Sequence, residues 1–193
     1  MEDFLDEIPE CTLDADGVAL RLLKESEAEE LFKVIDCSRE FLGRTLPWPQ
    51  TIHSASDVLY RIESWTLQAS MGSGACFGIY EETHDGVRIA GCMVLGWIEK
   101  SHRSASVSYW IGESFTGRQI VTKALGLLCD YAFGILNLNR LEVSASVENG
   151  KSRSVALRAG FKEEGLAREC EFLNGRFLDH IRYSRLKSDW LPR

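Results

Sequence analysis

Proline is scarce in this chain, and basic runs, long apolar stretches and closely spaced cysteines are absent. With 4 prolines among 193 residues, no proline-rich linker divides it. A single domain over residues 1–193 is expected, behind an acidic leader at residues 1–16, and the length suffices to bury a core without disulfide or metal staples. No apolar run approaches the roughly 18 residues of a membrane-crossing helix. The N-terminus MEDFLDEIPE lacks the basic-then-apolar order of a secretory signal, so neither a membrane nor export is expected. Acidic residues outnumber basic ones 29 to 22, for a net charge of -7. Nucleic-acid binding needs a basic face that displaces counterions, which this composition disfavours; a cationic or amine-bearing partner suits it better. The cysteines (Cys11, Cys37, Cys76, Cys92, Cys129, Cys170) form no C-x-x-C pair and have no histidine at ligand spacing. They read as buried free thiols in a reducing cytoplasm.

Alternation in GVALRLL, residues 17–23, predicts a first strand. Ser26 with Glu29 three residues on predicts a capping box opening a helix over residues 27–42, and Ser54 with Asp57 predicts a second helix start. Between them, Pro47 and Pro49 hold Trp48 in irregular backbone. Strands follow at residues 75–81, 87–98 and 104–111, then a helix to residue 133, a strand at 140–147, a short helix closed by Gly160, and a hairpin turning at Asn174-Gly175. The order is β-α-α-β-β-β-α-β-α-β-β. A helix joins strands 104–111 and 140–147, so these two are expected to be parallel in an otherwise largely antiparallel sheet.

In GESFTGRQIVTKALGLLCDYAF, residues 112–133, a strand runs through a turn into a helix. A helix start presents unsatisfied N–H groups and a partial positive charge, which suits a phosphate. With its surroundings the stretch becomes specific. Tyr109-Trp110, LNRLEV, the Asn149-x-x-Ser152-Arg153 step, Gly160-Phe161, EEG and Arg168, together with LRLL, LPW and NGRFLDHIRYSRLKSDW, make the chain similar to the Gcn5-related N-acetyltransferases (GNAT). Within them it resembles the RimJ/RimL group, which acetylates protein N-termini. The likeness spans about residues 18–190.

That resemblance implies an α/β (α+β) fold: a mixed, mostly antiparallel sheet with one parallel pair that splays, flanked by helices. It implies acetyl-CoA as cofactor, held by Trp110, Ile111, Thr116, Gly117, Arg118, Gln119, Ile120, Val121, Thr122, Asn149 and Ser152. The family's turn reads Gln/Arg-x-x-Gly-x-Gly/Ala, and here Thr116, Gln119 and Val121 stand at the aligned positions. None of the three matches, but the donors are backbone N–H groups, which Gln119 and Val121 retain; glycine mainly permits close approach or a positive φ. Gln119 could obstruct the phosphates or donate to them.

The resemblance places Glu171 as a general base acting through water and Ser152 near the acyl sulfur. Each has a plain alternative, a solvated cross-strand glutamate and a first-turn helix residue. Trp48 belongs to the acceptor wall or plugs the core. Tyr183 could donate a proton, although a buried tyrosine accounts for it; His53, His84, His102 and His180 form no recognisable dyad and read as surface residues. No metal motif occurs, and MGSGACFG precedes a strand rather than a helix, which removes it as a nucleotide fingerprint. The expected acceptor is a protein or peptide N-terminus, with a small amine or polyamine as the alternative substrate. A protein keeping the fold without catalysis is the alternative of another class. A homodimer would be consistent with the group.

Overall fold

A computed structural model describes residues 7–190. Strands β1 (Thr12–Ala15) and β2 (Val18–Leu22) form an antiparallel hairpin. Asp16 and Gly17 join them with φ of 53° and 77°, the left-handed pair of a two-residue hairpin turn. The expected leader therefore contains a strand, and the Asp-Gly pair was its sequence signal; residues 1–6 lie outside the described residues.

The helix expected over 27–42 is broken. A 3₁₀ turn at Glu25–Glu27 leads into α1 (Ala28–Cys37), and α2 (Arg39–Gly43) follows after Ser38. Ser26 does not cap: the Lys24 N–H donates to Glu27 Oε2 at 2.8 Å. Ser38 is buried and its hydroxyl accepts from the Glu113 N–H at 3.0 Å. A contact 75 residues away in sequence thus sets the break. Helix α3 (Ala55–Ser70) starts as expected, with Ser54 Oγ accepting from the Asp57 N–H and Asp57 Oδ2 from the Ser54 N–H.

Strands β3 (Ala75–Thr83), β4 (Gly86–Glu99) and β5 (Ser104–Ile111) form a meander. Helix α4 (Ile120–Gly134), β6 (Arg140–Ser146), α5 (Gly150–Arg158), β7 (Lys162–Leu173) and β8 (Arg176–Leu186) complete the chain. The eight strands lie in the order β1-β2-β3-β4-β5-β6-β8-β7, with β5–β6 the parallel pair and the others antiparallel. This is the mixed sheet with flanking helices that the resemblance implied. Asn174 and Gly175 turn the last hairpin at φ of 49° and 82°.

One apolar cluster gathers α4 with Phe77, Ile79 and Leu141; the other gathers α1 and α3 with Cys76, Tyr80 and Cys92. Strand β3 contributes to both clusters, which explains its unbroken apolar run. None of the six cysteines is in a disulfide. Cys76, Cys92 and Cys129 are buried, but Cys37 and Cys170 are exposed, so burial does not hold for the whole set. Among the described residues no helix is long and apolar enough to cross a membrane.

Candidate active site

The parallel pairing of β5 with β6 lasts only from Ser104–Arg140 to Ser106–Glu142. Beyond it the strands part, and residues 107–111 face 143–146 across a cleft of about 1180 Å³. Gly112 N–H bonds Ala90 O at 2.8 Å and Trp110 pairs with Cys92. Because ladder bonds alternate along an antiparallel strand, the N–H groups of Tyr109 and Ile111 point away from β4 and into the gap. The backbones are very close here: a Cβ on Gly91 would run into Trp110 O. Only glycine fits beside this strand end.

The start of α4 forms another wall. Gln119 is its N-cap residue, at φ 60° and ψ 11°, and no side chain caps the helix. The first helical bond runs from Lys123 N–H to Gln119 O at 3.0 Å, so the N–H groups of Ile120, Val121 and Thr122 precede the helix's own ladder. Thr116, Gly117, Gln119, Ile120, Val121 and Thr122 all line the cleft. Arg44, Lys151 and Arg158 also line it, giving a cationic rim in a chain of net charge -7. These are donors and charges that fit a pyrophosphate. Arg118 is not among the lining residues: it forms bonds of 2.9 and 3.0 Å to the carboxylate of Glu81 and one of 2.9 Å to Ser114 O. Arg118 therefore shares Glu81 with Arg88, whose own bond to that carboxylate is 2.8 Å, and braces the turn from behind instead of facing the cleft, where it was expected on the cofactor.

Asn149 and Ser152 come from the start of α5. Asn149 Oδ1 accepts from the Ser152 N–H at 3.1 Å, so this oxygen caps the helix. Ser152 Oγ donates to the Tyr109 hydroxyl at 3.2 Å, and that hydroxyl donates to Ser152 O at 3.1 Å. Burial pushes the Tyr109 phenol up to about 12, against a smaller opposing effect of the Ser152 hydrogen bond. Tyr109 is therefore a neutral donor at physiological pH.

Glu171 enters the cleft from β7. A bulge between Ala167 and Glu171 places extra residues in this strand. The Glu169 N–H, at φ 48°, donates to Asp179 Oδ1 at 2.7 Å and pins it. After the bulge Glu171 pairs with Leu178 and so shares a sheet face with His180 two residues on. His180 Nε2 lies 2.9 Å from Glu171 Oε2, and its Nδ1 lies 3.0 Å from Ser144 Oγ. The expectation that His180 is a surface residue without a partner is therefore wrong.

Like Arg118, Trp48 and Tyr183 stand outside the cleft lining. Trp48 packs edge-on against Trp110 at 5.5 Å, beneath Arg61, and buttresses the site rather than lining it. Its loop is tied by a bond from Arg39 to Pro49 O. Tyr183 is fully buried, its hydroxyl engaged by Arg153 Nε at 2.9 Å and Glu163 Oε2 at 3.4 Å. The structure adds Tyr109, Arg158 and His180 to the site. Tyr109 and His180 stood inside the quoted motifs, but nothing local showed which face they occupy.

A family model described as an acetyltransferase (GNAT) domain matches residues 18–162. The Bacillus subtilis (strain 168) protein YdaF is 36% identical over 90% of this chain and 93% of its own length. The ribosomal-protein-serine acetyltransferase of Escherichia coli (strain K12) is 28% identical over 89% of this chain and 94% of its own. The structure of RimL, a ribosomal L7/L12 alpha-N-protein acetyltransferase in complex with coenzyme A, superposes with a TM-score of 0.85 at 26% identity, covering 91% of this chain and 97% of that one.

Proposed function

The chain belongs to the GNAT acetyltransferase family, and from that premise we propose that it acetylates the α-amino group of a protein or peptide N-terminus, of ribosomal-protein type. It is an acetyl-CoA-dependent N-acetyltransferase, so neither the non-catalytic alternative nor the small-amine one is favoured. The observation that carries the reading is the splayed gap: it joins in one cleft an uncapped helix start and the carboxylate of Glu171.

Acetyl-CoA supplies an activated acyl group on a leaving thiolate. The N–H groups of residues 117 and 119–122 and the Arg158 guanidinium would hold its phosphates, and the Ile111 N–H would polarise the thioester carbonyl. Glu171 would take the amine's proton, through water, as the new N–C bond forms and the C–S bond breaks. Ser152, turning its hydroxyl away from Tyr109, would donate to the departing sulfur.

Acceptor chemistry supports an α-amino group over a lysine or polyamine. An α-amine has a pKa of about 8 against about 10.4 for a lysine amine, so far more of it is neutral at pH 7. A carboxylate base acting through water then suffices. The similarity to the ribosomal-protein-serine acetyltransferase and to RimL supports the same reading, and acceptors of this kind would be met in the cytoplasm.

The test is mass spectrometry of peptides beginning with serine, alanine or methionine, an N-blocked lysine peptide, and spermidine, each incubated with enzyme and acetyl-CoA. Acetylation confined to free α-amino groups is expected. Transfer to spermidine or the blocked lysine peptide alone overturns the acceptor class. A parallel thermal-shift titration with acetyl-CoA, CoA and dephospho-CoA should give a saturable rise in Tm.

A further inference from the structure

His180 has no role in the chemistry described so far, yet both its ring nitrogens are engaged inside the cleft. An ionised carboxylate only accepts hydrogen bonds. For Glu171 Oε2 at 2.9 Å the proton must therefore sit on His180 Nε2. Ser144 Oγ, 3.0 Å from Nδ1, can either donate to that nitrogen or accept from it, so the second ring nitrogen is also held. The two contacts together fix the orientation of the ring. Ser144, His180 and Glu171 come from β6, β8 and β7, so three adjacent strands hold the chain of bonds.

The contact leaves Glu171 Oε1 without a partner among the hydrogen bonds of the described residues. It also restrains the carboxylate against a competing position. A recess of about 220 Å³ adjoins the cleft and is lined by Glu171 together with Arg44 and Arg176. Arg176 is already bound to Glu148 by bonds of 2.8 and 2.6 Å, and Arg44 bonds Glu40 at 3.2 Å. Both guanidinium groups are exposed enough to exchange partners. A Glu171 side chain released from His180 could turn to either cation and leave the amine without its base.

We propose that His180 is a positioning residue, oriented by Ser144, that clamps one oxygen of Glu171 so that the other faces the acceptor amine. This rests on the reading of Glu171 as the base. His180 neither accepts the amine's proton nor touches the thioester.

The test is a double-mutant cycle on the full chain, with acetyl-CoA and a synthetic peptide bearing a free N-terminal serine, or whichever peptide the acceptor panel shows to react. His180→Ala should lower kcat about 10- to 100-fold, the usual scale for a misplaced catalytic group, with KM for acetyl-CoA changed less than about threefold. His180→Gln, whose amide can donate to Glu171 Oε2, should recover most of the rate and guards against a folding defect in the alanine variant. Added to Glu171→Gln, His180→Ala should cost less than about twofold more, because residues acting through one group are not additive. Full multiplicative losses, or an unaffected kcat in His180→Ala while Glu171→Gln is slow, overturn the proposal and leave the base reading intact. An unaffected rate in Glu171→Gln overturns both; slow His180→Ala in that case would mean that the histidine acts by itself.

Discussion

Replacing Gln119 by glycine tests whether the turn works through its backbone. Gln119 sits at φ 60° and ψ 11°, where an L-residue is disfavoured by about 1–2 kcal/mol. Glycine removes that strain but loses roughly 0.5–1 kcal/mol in extra freedom of the unfolded chain. The net expectation for Gln119→Gly is a stabilisation of about 0.5–1 kcal/mol. At about 2–4 °C per kcal/mol for a chain of this size, Tm should rise by about 1–4 °C. Gln119→Ala keeps the Cβ, and with it the strain, so it should fall short of the glycine variant. The neighbouring Gly117, at φ 80°, would place a Cβ in open space. Gly117→Ala should therefore add about 1–2 kcal/mol of strain, offset by roughly 0.5–1 kcal/mol of lost freedom in the unfolded chain, for a net loss of about 0.5–1 kcal/mol. Urea or thermal unfolding measures all three, and calorimetric titration with acetyl-CoA follows binding. If backbone N–H groups hold the phosphates, Kd in both Gln119 variants stays within about threefold of the native value. A glycine variant no more stable than the alanine one would refute the strain argument. A loss of affinity of tenfold or more in both would show that the Gln119 amide, not the turn, carries the contact.

Glu171→Gln should reduce kcat by about 10²–10⁴-fold while leaving the acetyl-CoA Kd unchanged; equal effects on both would remove Glu171 from the chemistry. Gly91→Ala drives a Cβ into Trp110 O and should cost about 1–3 kcal/mol in urea unfolding, with a fall in kcat as the end of β5 shifts. Arg158→Gln should weaken CoA binding by about tenfold and flatten its salt dependence, read by titration at two ionic strengths. Arg140 and Ser184 hold Glu164 down at about 2, so that pairing stabilises the fold above the ordinary carboxylate value and is lost as pH falls toward 2. Glu164 is 40% exposed, which reduces its worth to about 1 kcal/mol. Arg140→Met should erase that contribution at pH 7 and leave little difference from the native chain near pH 2 in acid-unfolding curves.

The elements readable in the sequence were those made by neighbours a few residues apart. Ser54 with Asp57, the Asn174-Gly175 turn and the helical period of α4 each complete their interactions within a short stretch. The Asp16-Gly17 turn was equally local and should have revealed β1. The family's fold and its use of acetyl-CoA were legible because the motifs run through most of the chain. Ser26 failed as a cap because the chain turns two residues earlier: Glu27, which also accepts from the buried Tyr80 hydroxyl at 2.7 Å, accepts from the Lys24 N–H in the part expected of Glu29 toward Ser26.

What this sequence determined by itself was therefore the order of its elements from α3 onward and the parallel crossover through α4, and its resemblance to the family supplied the candidates Glu171, Ser152 and residues 116–122. Tertiary structure alone decided where β5 and β6 part, that Arg118 turns to Glu81 instead of the cleft, that Trp48 leans on Trp110, and that His180 meets Glu171. The physical reason is range. Caps and turns are closed by adjacent residues, whereas a cleft wall is set by strand register and bulges, which bring together side chains whose separation along the chain carries no trace of their distance in space.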